Sequence, residues 1–338
     1  MDEVKNIILH FFSASGWLSS IYYAFNSNAF RREHRSVILG RLKYFSPLSQ
    51  VNQTNFSFRR NIHRLEKGLM SRPFRKVFGL SYIEETVRQF ESLNRMDHEQ
   101  IVDISELSWG FSILRRYFDS VGDNPTIERA KLRFDSIPLK DGLDTDMIPY
   151  PRKTLGGESM SYEALYALSL RRRAVRWYLQ KEVPRSEIDR ALEVAALSPS
   201  ACNRQPFEFL IFDHRDTILK ISSLVGGARG FRENIPMLLV ILGKLRAYHS
   251  ERDRHLIYID SSLAAMSLML ALETLGLSSC ALNWPDIPSN EKKIASFLVL
   301  EPDERVIMLM AIGYPDPEGL IAYSQKKPLD VLRTYNPI

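Results

Sequence analysis

The sequence predicts an α+β or α/β sandwich that follows a mostly helical N-terminal extension. Residues 207–212 alternate between apolar and polar side chains, as a half-buried strand does. Residues 237–242 and 306–313 are continuously apolar, which is typical of strands covered on both faces. The long apolar stretch 258–277 contains Asp260 and predicts a core or subunit-interface helix. Helices that alternate with a few strands build layered sandwiches of this class.

The first 160 residues predict helices and irregular structure. Apolar residues recur at helical spacing in 81–94 and 105–121, and 59–69 reads as a basic amphipathic helix. That helix is expected to end at Gly68, because glycine accepts the left-handed conformation that follows a helix. Residues 135–159 are rich in Pro, Gly and Asp and indicate a linker or long surface loop. The predicted units are therefore the extension 1–160, a lid or interaction module, and the sandwich 161–338.

Composition excludes several classes of protein. Hydrophobic residues make up 45% of the 338 and charged residues 25%, as in a soluble globular protein. Two cysteines, Cys202 and Cys280, are too few for a disulfide framework and indicate a reducing, cytoplasmic location. Cysteine and histidine show no zinc spacing, so we predict no metal.

Positive charge is concentrated at the N-terminus. Residues 1–80 hold 13 Lys/Arg and 4 Asp/Glu, whereas the whole chain has a net charge of +5. Such a balance predicts an anionic partner, such as lipid or a phosphorylated substrate, or simply a solvated basic face. We expect no nucleic-acid partner, because no motif of that class is present.

Residues 6–30 contain no Asp, Glu, Lys or Arg and are followed by Arg31, Arg32 and Arg35. Serine and asparagine interrupt the stretch, which disfavours a membrane span. The preferred interpretation is a helix docked on protein. The alternative is peripheral binding of residues 6–35 to the inner face of a membrane, with the arginines as anchors.

Two polar segments of the second half could bind a ligand. "RRRAVR" places Arg171, Arg172, Arg173 and Arg176 next to a helix end, and guanidiniums bind phosphate through paired hydrogen bonds. An exposed basic turn is the alternative. "SPSACNRQPFEF" crowds Ser, Asn, Arg and Gln onto one loop before a strand, which would suit a heteroaromatic ring or, alternatively, a capping loop.

The order of these segments resembles the FMN-dependent nitroreductase family over about residues 165–335. "RRRAVRWYLQKEVPRSEIDRALEVAALSPSACNRQPFEFLIF" is similar to its opening, and "GLSSCALNWP", "VIMLMAIGYPDPE" and "KKPLDVL" match later blocks in order. The first and last of these later blocks are also similar to the iodotyrosine deiodinase branch. The resemblance implies an α+β fold, a three-layer α/β/α sandwich, and a homodimer with FMN at the subunit interface.

The resemblance also implies which residues bind FMN. Basic residues would hold the phosphate and ribityl chain, the polar loop of the other subunit would meet the ribityl chain and ring, and a later segment would lie along the isoalloxazine. The implied positions are Arg172, Arg173, Ala174, Arg176, Pro199, Ser200, Asn203, Gln205, Ala281, Leu282, Asn283, Lys326 and Lys327.

The family's usual cycle is ping-pong, with NAD(P)H as transient reductant and a small-molecule acceptor. The flavin supplies the redox chemistry, so no catalytic side chain is nominated. Ala174 replaces the usual serine, and Lys326 stands where the deiodinase branch has arginine, which puts the strength of FMN binding in doubt. The segment between residues 218 and 232 is short and lacks the Glu-Tyr-Lys lid of deiodinases, so we expect no deiodination.

"RRNIHRLEKGLMSRP" resembles a block of extended nitroreductase-like proteins that are associated with bacterial polysaccharide biosynthesis. His63, Glu66 and Lys67 lie at helical spacing, where a surface ion pair is the ordinary interpretation. The functional alternative is a module that caps the flavin cleft and selects the substrate. A catalytically silent flavin-binding or scaffold protein is the alternative to the enzyme.

Overall fold

A computed structural model describes residues 2–26, 29–45, 55–96, 104–157 and 159–336. Over these residues the chain forms thirteen α-helices and four β-strands. The helices are α1 (Asp2–Ser13), α2 (Gly16–Asn26), α3 (Ala29–Phe45), α4 (Phe56–Leu69), α5 (Ile83–Arg95), α6 (Ile104–Ser120), α7 (Pro125–Asp135), α8 (Tyr162–Arg171), α9 (Arg185–Ala196), α10 (Arg215–Ser222), α11 (Leu256–Thr274), α12 (Pro288–Leu298) and α13 (Leu329–Leu332). The strands are β1 (Phe207–Phe212), β2 (Met237–Lys244), β3 (Ser278–Asn283) and β4 (Glu304–Gly313).

The strands form one antiparallel sheet in the order β1-β2-β4-β3. Strands β2 and β4 are central and almost fully buried, which explains their continuous apolar sequences. The three predicted strands are confirmed, whereas β3 had not been predicted. It is an edge strand that begins with Ser278 and Ser279, and its residues Ala281 and Asn283 are exposed, so its sequence lacks a strong apolar pattern.

Helices cover both faces of this sheet. Side chains of β2 such as Val240 pack with Ile218 of α10 and Ile294 of α12 on one face. On the other face Leu239 of β2 packs with Leu268 of α11 and the residues of α9. The α+β class and the three-layer α/β/α sandwich are therefore confirmed.

Helices α4 to α7 enclose a separate core built around aromatic residues, including Phe58, Phe90, Tyr117 and Phe134. The helices predicted near 59–69, 81–94 and 105–121 are confirmed. The prediction that the first of these ends at Gly68 is wrong by one residue, since α4 continues to Leu69. Gly68 is needed for another reason: a Cβ atom there would lie 2.0 Å from Cε2 of Phe78. Division of the chain at residue 160 stays a prediction.

The helical extension shares a core with the sandwich. Val37 and Tyr44 of α3 pack in one cluster with Leu245 and Tyr248, which follow β2. Lys43 of α3 also forms ion pairs at the sandwich surface, one of them with a buried aspartate. The extension is thus attached through apolar burial and charge together.

Residues 6–30 do not form the docked helix that was expected. Helices α1 and α2 break at Ala14 and Ser15, and α2 has no buried residue; Trp17 is 79% and Phe25 82% exposed. By length and composition, one stretch of the described residues would suffice to cross a membrane, Glu251–Thr274, and 44% of its most apolar window is buried within the protein. That stretch includes α11, which was predicted as a core or interface helix.

Substitution Gly110→Ala tests how closely α6 approaches α4. The new Cβ atom would lie 2.3 Å from Cζ of the fully buried Phe58. Overpacking of a core costs about 1–3 kcal/mol, while alanine gains about 1 kcal/mol in a helix interior. We expect a net loss of stability in urea unfolding. Gly16→Ala, which meets no atom within 4 Å, is the control and should be neutral or stabilising. Equal stability of Gly110→Ala and wild type would contradict the packing.

Candidate functional site

The loop between α9 and β1 has an unusual backbone. Three of its residues that are not glycine have positive φ: Cys202 (54°), Asn203 (50°) and Gln205 (46°). Each such conformation costs on the order of 1 kcal/mol for an L-residue. Surrounding contacts must therefore hold this loop, which includes four predicted site residues: Pro199, Ser200, Asn203 and Gln205.

Hydrogen bonds hold the loop from within and from α11. The Gln205 backbone N–H donates to Ser200 Oγ at 3.0 Å, and Gln205 Nε2 donates to the Ala196 carbonyl at 2.9 Å. The Ala201 N–H donates to Oδ2 of Asp260 on α11 at 3.0 Å. The capping-loop interpretation expected Ser200 and Asn203 to hydrogen-bond the local backbone, and the structure shows such a bond for Ser200. Gln205 is occupied as well.

Asp260 is a buried carboxylate beneath the loop. The Tyr248 hydroxyl donates to its Oδ2 at 3.1 Å, and the buried guanidinium of Arg204 lies 4.4 Å from the Tyr248 ring. Burial raises the pKa of Asp260, against the opposing effect of its hydrogen bonds and of Arg204. Burial and the Asp260 carboxylate together raise the pKa of Tyr248.

Arg59 of α4 holds the same loop from the extension. Its Nε donates to the Asn203 carbonyl at 2.8 Å and its Nη2 to Gln205 Oε1 at 3.1 Å. Its Nη1 pairs with Glu106 of α6 at 2.9 Å, and its guanidinium lies 5.3 Å from the centre of the Trp109 ring. Sequence reasoning missed Arg59, because only the fold brings it to a loop 144 residues further along the chain.

The four clustered arginines after α8 have different partners. Arg171 lies 3.5 Å from the buried carboxylate of Glu273 on α11. Arg172, Arg173 and Arg176 form no ion pair with a carboxylate in the part of the chain that the structure describes. Nε of Arg172 is buried without a hydrogen-bond partner. The structure therefore separates one structural arginine from three that are available to an anion.

Edge strand β3 lies beside these arginines. The Val175 N–H donates to the Ser279 carbonyl at 3.1 Å, and Ala174 forms a parallel bridge with Ser279. Ser279 Oγ is buried without a hydrogen-bond partner. Ala281 and Asn283 are exposed on the same face, whereas Leu282 points into the core and is 4% exposed.

The C-terminal tail reaches this group through one hydrogen bond. Nη1 of Arg173 donates to the Tyr323 carbonyl at 3.3 Å. Lys326 and Lys327 follow three and four residues later and are exposed. The tail thus runs near the arginines, but neither lysine has a charged partner among the described residues.

The predicted site residues consequently fall into two groups. One contains the arginines, β3 and the tail, and the other contains the loop with its supports Arg59 and Asp260. Between described residues, no hydrogen bond or ion pair joins the two groups. A ligand that contacts both groups would bind either between two chains, with one group from each, or across both groups of a single chain.

Comparison with known proteins shows what this chain is similar to. The sequence model described as "Nitroreductase family" matches residues 170–229 and 223–314. Iodotyrosine deiodinase 1 of Pongo abelii is 24% identical over an alignment of 210 positions, and the match covers 54% of this chain and 70% of that protein. Iodotyrosine deiodinase of Thermotoga neapolitana is 29% identical over an alignment of 177 positions, and the match covers 45% of this chain and 89% of that protein. A solved FMN-dependent nitroreductase from Clostridium difficile R20291 has 25% identity and a TM-score of 0.41, with 47% of this chain and 92% of that one covered.

The sandwich is a domain of α+β architecture with a basic segment beside its edge strand β3. Residues 170–314 form a domain of the nitroreductase family, and the resemblance seen in the sequence is confirmed at that level.

The buried Asp260 predicts a pH effect on stability. Because burial holds the pKa of Asp260 above its ordinary value of 3.8, the folded state binds this proton more tightly than the unfolded state. Ionisation of Asp260 therefore costs stability as the pH rises above 3.8. We expect the unfolding free energy of wild type to fall relative to that of Asp260→Asn over this range and then to level off. Urea unfolding of both proteins on either side of 3.8 measures the difference, and parallel curves would contradict it.

Substitution of Arg59 is expected to change the dynamics of the loop between α9 and β1. Arg59→Lys keeps the charge but loses the planar set of donors that reaches Asn203, Gln205 and Glu106 together. Loss of one charge-assisted hydrogen bond, about 1.5–3 kcal/mol, should speed amide exchange in residues 200–205 about tenfold or more. Arg129→Lys, at an exposed ion pair with Glu84, is the control and should leave the loop unchanged. Equal exchange in both variants would show that Arg59 does not hold the loop.

Proposed function

We propose that the protein is an FMN-dependent oxidoreductase that transfers electrons from NAD(P)H to an acceptor still to be identified. The observation that carries this proposal is the group of three arginines without carboxylate partners among the described residues, placed beside β3. The buried and unpaired Nε of Arg172 fits an anionic ligand, since a buried donor without a partner is costly. The family match at residues 170–314 supports the same conclusion.

The chain's own groups suggest how FMN would be held. Arg172, Arg173 and Arg176 would bind the phosphate, with Lys326 and Lys327 as additional point charges. Ala281 and Asn283 expose the outer edge of β3, where backbone and amide groups can hydrogen-bond a planar ring. Ser279 Oγ is a further buried hydroxyl without a partner on that strand.

When bound, FMN would supply the redox chemistry between NAD(P)H and a second substrate, in the family's ping-pong order. The protein contributes binding, orientation and charge, and we propose no catalytic acid or base. The positive charge of Arg176 already reaches buried groups nearby, where it opposes the effect of burial on the pKa values of Tyr178 and Cys280. The same charge would be available to the anionic phosphate of the cofactor.

A homodimer would bring the two halves of the site together. Between described residues no hydrogen bond or ion pair joins the loop 199–205 to the arginine group, and we propose that the loop of one subunit completes the site of the other. Large apolar side chains on α8 and α11 are exposed in the single chain, among them Tyr166 and Ile259 at 53% and 52%. Such a surface is typical of an interface between subunits.

The acceptor is a separate question. The deiodinase names belong to relatives that match about half of this chain. After α10, residues 223–235 form only short turns that include Gly226 and Gly230, which favours an acceptor other than iodotyrosine. We further propose a cytoplasmic location, a role of the extension in substrate selection through Arg59, and, on sequence resemblance alone, a connection with polysaccharide biosynthesis.

The first prediction from this proposal concerns flavin binding. Purified wild type should bind FMN at about one per chain. Arg172→Gln and Arg173→Gln should each weaken FMN binding about tenfold or more, because a charge-assisted hydrogen bond contributes about 1.5–3 kcal/mol. Arg190→Gln on α9, which removes an equal charge from an exposed ion pair with Glu187, is the control. Fluorescence titration with FMN measures all four proteins, and wild type that binds no added FMN would refute the proposal.

Turnover separates the enzyme from the silent alternative. NADH and NADPH consumption would be followed with a nitroaromatic acceptor and, separately, with 3-iodotyrosine. Reduction of the nitroaromatic compound supports the oxidoreductase, and iodide release would correct the expectation about deiodination. Bound FMN with no turnover of either acceptor would favour the flavin-binding scaffold.

A further inference from the structure

A basic cavity lies in the helical extension, outside the nitroreductase domain. The end of α4 and the segment that connects α4 to α5 line an open cavity with a volume of about 450 Å³. Pockets that bind small molecules commonly have volumes of about 300–1,000 Å³. Three cationic residues and one tyrosine line the cavity, and none of its lining residues is acidic: Arg64, Lys67, Gly68, Arg75, Val77, Phe78, Gly79 and Tyr82.

The cations of this cavity have no acidic partners. Arg64, Lys67 and Arg75 make no ion pair with any carboxylate of the described ranges. Glu66, the acidic residue of α4, is occupied elsewhere: its Oε1 accepts from the Trp109 indole at 3.0 Å and its Oε2 lies 3.0 Å from His63 Nδ1. His63, Glu66 and Lys67 were expected to reach one another as a surface ion pair. The structure shows the contact between His63 and Glu66, whereas Lys67 makes no ion pair with a described carboxylate.

The guanidinium of Arg64 is held in place before any ligand arrives. It lies 3.6 Å from the centre of the Tyr82 ring, and its Nη1 is 3.4 Å from Asn61 Oδ1. Arg64 and Tyr82 are half-buried, so the stacked pair forms a partly desolvated wall. Charge in such surroundings interacts more strongly with an anion than it would in open water.

The floor of the cavity is rigid. Phe78 is buried against Gly68, where a side chain would collide with its ring. The hydroxyl of Tyr117 donates to the Phe78 carbonyl at 2.6 Å. Gly79 follows with φ of 77°, a conformation that L-residues rarely adopt. These contacts fix Phe78 and Gly79, and Arg75 lies in the exposed segment 72–77 directly before them.

Three guanidiniums interact electrostatically with the phenol of Tyr82. Burial raises the pKa of its phenol, while Arg64, Arg75 and Arg60 each oppose that rise. Like charges gathered without counter-ions repel one another, so an anion that enters the cavity relieves a cost that already exists in the fold. Guanidinium and ammonium donors together are the usual partners of phosphate oxygens.

We propose that this cavity binds the phosphate or diphosphate group of a small molecule, through Arg64, Lys67 and Arg75 with the Tyr82 hydroxyl as a further donor. The site is separate from the proposed flavin site and does not depend on flavin binding. A soluble phosphorylated compound and the headgroup of a phosphomonoester lipid offer the same chemistry to it. The experiment distinguishes these two sources.

The test uses the full-length protein and calorimetric titration with inorganic pyrophosphate at constant, moderate salt. Wild type should show saturable binding at one site per chain. Arg64→Gln combined with Arg75→Gln should weaken that binding tenfold or more, and Lys67→Gln alone should weaken it less. The control, Arg88→Gln combined with Arg115→Gln, removes two charges from exposed positions of α5 and α6 and should change binding by less than twofold.

Each outcome bears on the proposal. Absence of saturable binding in wild type, or an equal loss in the cavity and control variants, would overturn it. If the double variant fails to fold, as judged by circular dichroism, Lys67→Gln decides the result. Flotation with phosphatidic acid vesicles, with phosphatidylcholine as reference, tests the lipid source: flotation lost only in the cavity variant assigns the site to the headgroup, and no flotation assigns it to a soluble compound. FMN content of the same samples reports separately on the proposed function.

Discussion

The conformation of the loop between α9 and β1 is the constraint on which the arrangement of this molecule depends. Three of its residues, Cys202, Asn203 and Gln205, have positive φ, and a short loop cannot maintain such a backbone alone. Its supports come from three places: Ser200 within the loop, Asp260 on α11, and Arg59 on α4. Because the last two belong to different parts of the structure, the loop is correctly formed only when sandwich and extension are packed together.

The extension therefore has a structural role, because it supports the conformation of this loop. Arg59 is largely buried, and a buried guanidinium contributes stability only when its hydrogen bonds are satisfied. It meets that condition by joining Glu106 of the extension to Asn203 and Gln205 of the loop. The cluster that contains Tyr44 and Tyr248 adds apolar contact between the same two parts. A change in the extension could therefore alter the loop without any contact with a ligand.

The sequence alone predicts elements that have a local pattern of residues. It does not predict contacts between residues that are far apart in the chain. Strands β2 and β4 are evident because both of their faces are buried, whereas β3 has exposed positions at Ala281 and Asn283 and escaped prediction. The basic turn was recognised as a phosphate candidate, but only the fold shows that Glu273 occupies Arg171 and leaves its neighbours available. The contacts of Arg59 with the loop depend on packing between helices and could not be read from spacing.

The presence or absence of a carboxylate partner helps to identify which cations of this chain are candidates for binding an anion. Where a cation stabilises the fold, a carboxylate accompanies it: Arg246, for example, lies 2.6 Å from the buried Asp303. Other cations have no such partner over the described residues. They include the arginines beside β3 and the group at the end of α4, on which the two proposals rest, and also Lys220, Lys292 and Lys293 at a pocket between α10 and α12. Anion binding at either proposed site should weaken as salt screens the charges.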